Sequence, residues 1–164
     1  MKKLLLSLLL LASVKSYSQT YISLSNTFYN SQGTFGDKSS PAIEIGKQFG
    51  PLSLGFDIGR TNCSKVSGKD TTLYLEIRPN INVFQQGKFT NTLTIGGGIC
   101  PMATQGFMTE FSSGIEYAYT ETWHININFG QYYFSGKSSS NYSSAPSFIG
   151  LNIIYYLKPF KIKQ

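Results

Sequence analysis

The sequence predicts an all-β chain that folds as an eight-stranded antiparallel up-and-down transmembrane β-barrel. Three observations predict it. Apolar and polar residues alternate with period two through eight segments. The connections between those segments run long, short, long, short, long, short, long. Charged residues make up 13% of the chain and aromatics 15%, whereas soluble domains carry roughly 25% charge. Few charges and many aromatics suit a wall that faces lipid.

The first eighteen residues read as a cleavable export signal. Lys2 and Lys3 precede the apolar run Leu4 to Val14, and Ser16 and Ser18 occupy the small-residue positions of a signal-peptidase site. That run is too short for the ~20 residues of a spanning helix, and no cysteine lies near the cut to carry a lipid. The expected mature chain, residues 19–164, is one domain. Without Lys2, Lys3 and Lys15 its net charge falls to about +3, scattered mostly at segment ends. No basic stripe tracks a phosphate backbone, so nucleic acid is not an expected partner.

In the first segment, Tyr21 to Tyr29, residues Ile22, Leu24 and Phe28 share one side. The second, Ala42 to Phe49, sets Ile43 and Ile45 against Glu44 and Gly46. The third, Leu52 to Thr61, places Leu52, Leu54, Phe56 and Ile58 opposite Ser53, Gly55, Asp57 and Gly59. In the fourth, Leu73, Leu75, Ile77, Ile81 and Val83 oppose Tyr74, Glu76, Arg78, Asn80 and Asn82, with Pro79 costing the ladder locally. The fifth, Phe89 to Cys100, alternates Leu93, Ile95 and Ile99 with Thr92, Thr94, Gly96 and Gly98. The sixth, Phe107 to Tyr119, sets Phe107, Phe111, Ile115 and Tyr117 against Glu110, Ser112, Gly114 and Glu116. The seventh, Thr122 to Phe134, opposes Trp123, Ile125, Ile127 and Phe129 to His124, Asn126, Asn128 and Gly130. The eighth, Phe148 to Leu157, opposes Ile149, Leu151, Ile153 and Tyr155 to Gly150 and Asn152.

Most segments reach the ~9 to 11 residues that a tilted strand needs to cross a bilayer. The short joints are Gly50-Pro51, Gln85 to Lys88 and Tyr119 to Glu121; the long ones are Asn30 to Ser40, Asn62 to Asp70, Pro101 to Gly106 and Ser135 to Pro146. An even strand number puts both termini on the short-turn, periplasmic side. Aromatics collect near both ends. Phe49, Phe84, Phe89, Tyr117, Tyr119, Trp123 and Tyr155 lie near the short turns, and Phe28, Tyr29, Phe107, Phe111, Tyr132, Tyr133, Phe134 and Phe148 near the long loops, as two interfacial girdles would. The competing arrangement is a soluble lipocalin-like ligand-binding barrel, with the apolar face inward.

The start at Gln19, the strand Leu75 to Phe84 and the closing strand Phe148 to Leu157 resemble the small eight-stranded outer-membrane barrels of Gram-negative bacteria. The resemblance is one of pattern across nearly all of the mature chain. It implies an outer-membrane address, surrounding outer-membrane lipid, a monomer, and roles that range from adhesion and anchoring to narrow pores and lipid modification. It also implies contact with the barrel-assembly machinery, which reads a terminal aromatic. Here Lys158 to Gln164 follows the last strand, leaving Phe160 or Tyr156 for that role.

Parity sends Glu44, Asp57, Glu76, Glu110 and Glu116 into the lumen with Arg78 and His124 as the available cations. An eight-stranded interior is just wide enough to be filled by side chains, so these groups must pair, hydrate or take up protons. A two-residue Gly50-Pro51 turn sets Glu44 opposite Asp57, with Arg78 the candidate cation between them. A three-residue turn at Tyr119 to Glu121 sets Glu116 opposite His124. The expected outcome is a structural polar plug; a narrow cation-preferring pore is the alternative.

His124 is the only histidine, and it points inward near the periplasm, away from where a lipid-modifying triad would sit. No catalytic residue, metal or cofactor is expected. Cys63 and Cys100 fall at the outer rim on strands three and five, about 10 Å apart by strand spacing and beyond the ~7 Å limit for a disulfide unless the loops fold inward. The glycines Gly96 to Gly98 sit within a strand, with room for Glu76 or Tyr74 to approach. The serine-rich run Ser138 to Ser144 is a loop that names no ligand.

Overall fold

The computed structural model describes residues 18–31, 34–61, 72–101, 105–136 and 143–157. The long strands are β1 (Ser18–Ser31), β2 (Thr34–Phe49), β3 (Leu52–Thr61), β4 (Thr72–Gln86), β5 (Phe89–Ile99), β6 (Gln105–Ala118), β7 (Trp123–Gly136) and β9 (Ser147–Tyr156). A two-residue stub, β8 (Ser143–Ser144), pairs with the end of β7. Each long strand runs antiparallel to its sequence neighbour, β7 pairs with β9, and β9 pairs back onto β1. The sheet therefore has no open edge around its girth, as a sheet that crosses a bilayer requires.

Alternation decides which face each residue takes. Leu54, Phe56, Ile77, Ile95, Ile125, Ile127 and Leu151 all lie on the outer wall with large exposed areas. Glu44, Asp57, Glu76, Arg78 and Glu110 are buried inside. A lipocalin-like barrel has the reverse arrangement, so that alternative is set aside: an exposed apolar wall this continuous requires lipid.

The turns follow from local chemistry. Gly50 and Gly87 have φ of 62° and 58°, which glycine adopts without steric cost, and each opens a two-residue connection, Gly50-Pro51 and Gly87-Lys88. The third turn is longer than the three residues expected. The Thr120 hydroxyl accepts from the main-chain N–H groups of Thr122 and Trp123, stabilising a wider loop. The register accordingly moves by one pair: Glu116 faces Asn126, and Ala118 faces His124. Parity is unchanged because the shift is by two residues in sum.

At the opposite end, the first expected long loop, Asn30 to Ser40, is largely strand. The β1–β2 ladder continues past a bulge between Phe28 and Asn30 to the pair Ser31–Thr34, leaving only residues 32–33 between the strands. The segment is rich in Ser, Gly and Asn and lacks apolar alternation, so its sequence resembles a loop. The connections at 62–71, 100–104 and 137–146 remain, the last interrupted by β8.

Pro79 faces outward, and the β4–β5 ladder lapses at Arg78 and Pro79 before resuming at Asn80–Thr94. Proline has no N–H to give the ladder. In the glycine triplet, a Cβ on Gly97 would meet nothing within 4 Å, whereas one on Gly98 would strike the Leu75 carbonyl and lie 2.9 Å from Glu76 Cα. Gly98→Ala is expected to cost about 1–3 kcal/mol through overpacking against backbone, and Gly97→Ala to stay within about 0.5 kcal/mol of wild type. Urea unfolding in lipid vesicles, followed by the fluorescence of the single tryptophan, Trp123, measures both.

Candidate functional site: the barrel lumen

The lumen is built in layers along the barrel axis. At its centre, three neighbouring strands each send in a carboxyl at matched register: Glu44 of β2 faces Asp57 of β3, which faces Glu76 of β4. Arg78, one inward position along β4, lies opposite Gly55, and the missing side chain there leaves space that the Glu44 carboxyl occupies. The guanidinium spans the barrel. Its Nε and Nη2 donate to Glu110 Oε2 and Oε1 at 2.8 and 3.0 Å, a bidentate pair, and Nη1 donates to Glu44 Oε2 at 2.7 Å. Tyr21 donates to Glu44 Oε1 at 2.5 Å and Ser112 to Glu110 Oε1 at 2.6 Å, so both paired carboxylates carry further donors.

The two other acids are served less well. Asp57 accepts from the Tyr74 hydroxyl at 3.0 Å, but its Oδ1 has no hydrogen-bond partner among the described residues. Glu76, 1% exposed, has none for either oxygen. Arg78 therefore joins Glu44 to Glu110; it makes no direct hydrogen bond to Asp57.

Toward the turn end the wall becomes neutral and polar. Asn152 donates to Asn126 Oδ1 at 2.9 Å, Asn126 reaches Thr92 Oγ1 at 3.4 Å, and Thr94 donates to Asn80. These side chains line a cavity of about 50 Å³ together with Tyr21, Glu44 and Arg78. Beyond it, His124 Nδ1 lies 2.5 Å from Glu116 Oε1, a diagonal contact across the shifted register, and the His124 ring packs against Tyr156 at 4.7 Å.

Toward the loop end the lumen is closed by Tyr29, Ala42, Tyr74, Cys100, Met108, Tyr132, Phe134 and Phe148. Tyr132 stacks on Phe148 with ring centroids 4.5 Å apart, and Phe134 and Phe148 are each 1% exposed. This corrects the reading of one outer girdle. Phe107, Phe111 and Tyr133 do face outward, but Tyr29, Tyr132, Phe134 and Phe148 point in. Strand parity could have found them: Tyr132 and Phe134 continue the series His124, Asn126, Asn128, Gly130, and Phe148 continues Gly150 and Asn152. Cys100 is buried in this layer, and Cys63 lies outside the described residues.

Paired acids around one guanidinium, a small polar cavity and an aromatic layer make a largely filled interior. The described residues contain no group of His, Cys, Asp and Glu arranged to hold a metal ion. The fold is that of the small eight-stranded outer-membrane barrels. Neisserial surface protein A superposes with a TM-score of 0.56 at 12% identity, over 84% of this chain and 96% of that one. The de novo designed TMB2.3 gives 0.57 at 10% identity, over 86% and 97%. The Yersinia pestis outer membrane protein Ail, in a phospholipid bilayer nanodisc, gives 0.50 at 8% identity, over 85% and 99%. No protein-family model matches the chain, and no curated protein matches it in sequence.

Proposed function

We propose that this protein is exported, loses its first eighteen residues, and resides in the outer membrane as a closed barrel. Its role is structural or interactive, exercised through the loop end, without catalysis and without passage of solute. One observation carries the reading: the loop end of the lumen is sealed by stacked aromatic side chains, with Phe134 and Phe148 almost wholly buried. What the barrel offers to the outside is then its loops and the projecting β1–β2 hairpin. Two proteins of similar fold, Neisserial surface protein A and the outer membrane protein Ail, agree with this address.

The rival is a narrow cation-preferring pore, which the four central carboxylates around one arginine favour. Planar-bilayer recording separates them. The wild-type barrel is expected to give no single-channel steps; discrete cation-preferring steps would overturn the closed reading.

A further inference from the structure

The modest net charge of the chain conceals a separation. From Gln19 onward there are eleven basic and eight acidic residues. Glu44, Asp57, Glu76, Glu110 and Glu116 all belong to the lumen layers, and Arg78 is the one lysine or arginine that joins them among the described residues. Of the side chains described outside the lumen, those of Lys47, Arg60 and Lys88 are basic and that of Glu121 is acidic. The described outer surface is therefore cationic.

Two of those charges have defined seats at the turn end. Lys47, exposed on the outward face of β2, places its Nζ over the Phe49 ring, 5.6 Å from the centroid. Lys88, exposed in the β4–β5 turn, places its Nζ 5.9 Å from the centroid of Tyr117, which in turn packs on Phe89. Neither ammonium is within 4 Å of a carboxylate among the described residues. An aromatic ring in the girdle sits at headgroup depth, and a lysine stem lying along it delivers its charge to the same level.

We propose that the turn-end rim binds anionic phospholipid headgroups through Lys47 and Lys88. The inference rests on the barrel being inserted in a bilayer. A zwitterionic headgroup carries no net charge to attract the lysines, whereas an anionic one supplies the counter-charge that no described carboxylate places within 4 Å of either ammonium. A basic residue at a membrane surface favours anionic lipid about fivefold.

The test uses the whole mature protein folded into vesicles of equal parts phosphatidylcholine and phosphatidylglycerol. Heat-modifiable mobility in gels first establishes insertion; failure there overturns the membrane reading itself. The protein is then released in mild detergent at low salt, and its retained lipids are counted by native mass spectrometry. Wild type is expected to retain phosphatidylglycerol preferentially. K47Q/K88Q should lose that preference, K47R/K88R should keep it, and R60Q, at the opposite rim, should leave it unchanged. Equal retention of the two lipids by wild type, or an unaltered preference in K47Q/K88Q, would overturn the proposal, as would loss of preference in R60Q alone.

Discussion

Replacing Arg78 with methionine is expected to destabilise the barrel by about 3 to 5 kcal/mol, the usual cost of orphaning a buried ionic partner. Methionine keeps much of the volume but donates nothing, so Glu44 and Glu110 would lose three charge-assisted hydrogen bonds while staying buried beside Asp57 and Glu76. The effect comes mainly from the stranded carboxylates. Adding Glu44→Gln and Glu110→Gln to Arg78→Met should therefore recover most of the loss, because neutral amides can share the donors of Tyr21 and Ser112. Glu76→Gln alone should cost far less than Arg78→Met, since neither Glu76 oxygen accepts from a donor among the described residues. Urea unfolding of the three vesicle-inserted variants, read by Trp123 fluorescence and by heat-modifiable mobility, measures each against wild type. If Arg78→Met unfolds within about 1 kcal/mol of wild type, the guanidinium is not what holds this cluster together.

Much of this arrangement was legible in the sequence because a strand has an exact period. Once Glu44 and Asp57 are placed about a two-residue turn, their opposition follows from counting, and the ladder has that register. The turn after β6 resisted the same treatment. Its length depends on the Thr120 hydroxyl closing a local hydrogen-bonded loop, which composition does not announce. The outer aromatics show two signals in conflict. Tyr132 and Phe134 lie at the level of a girdle, which suggests an outward ring, but the side-chain period sends them inward. The β1–β2 extension was hidden because its residues, rich in Ser, Gly and Asn, show no apolar alternation to mark it as strand, although the ladder runs on to Ser31–Thr34. Arg78 meeting Glu110 across the barrel depends on closure of the whole sheet and could not be counted from any single turn.

The outer wall should respond to charge as a bilayer-embedded surface does. Ile127 lies outward on β7, 52% exposed, with Ile115 and Leu151 beside it on the neighbouring strands and Ile125 and Phe129 above and below. It is far from both girdles, so a lysine there has little chance to snorkel to the interface. Ile127→Lys is expected to cost about 2–4 kcal/mol in vesicles, the penalty for a basic residue near the midplane of a transmembrane barrel. Lys47 already sits on the same outer face at the turn end, where such a charge is worth close to nothing or is favourable. Leu52→Lys, near that end, should therefore cost at most about 1 kcal/mol. The gradient between the two positions is the decisive quantity. A barrel surrounded by water would accept lysine equally at both, because each apolar side chain is already exposed and its replacement buries no charge. A depth-dependent penalty identifies lipid as the solvent of this wall, and a flat response would remove the bilayer from the account of how the fold is held.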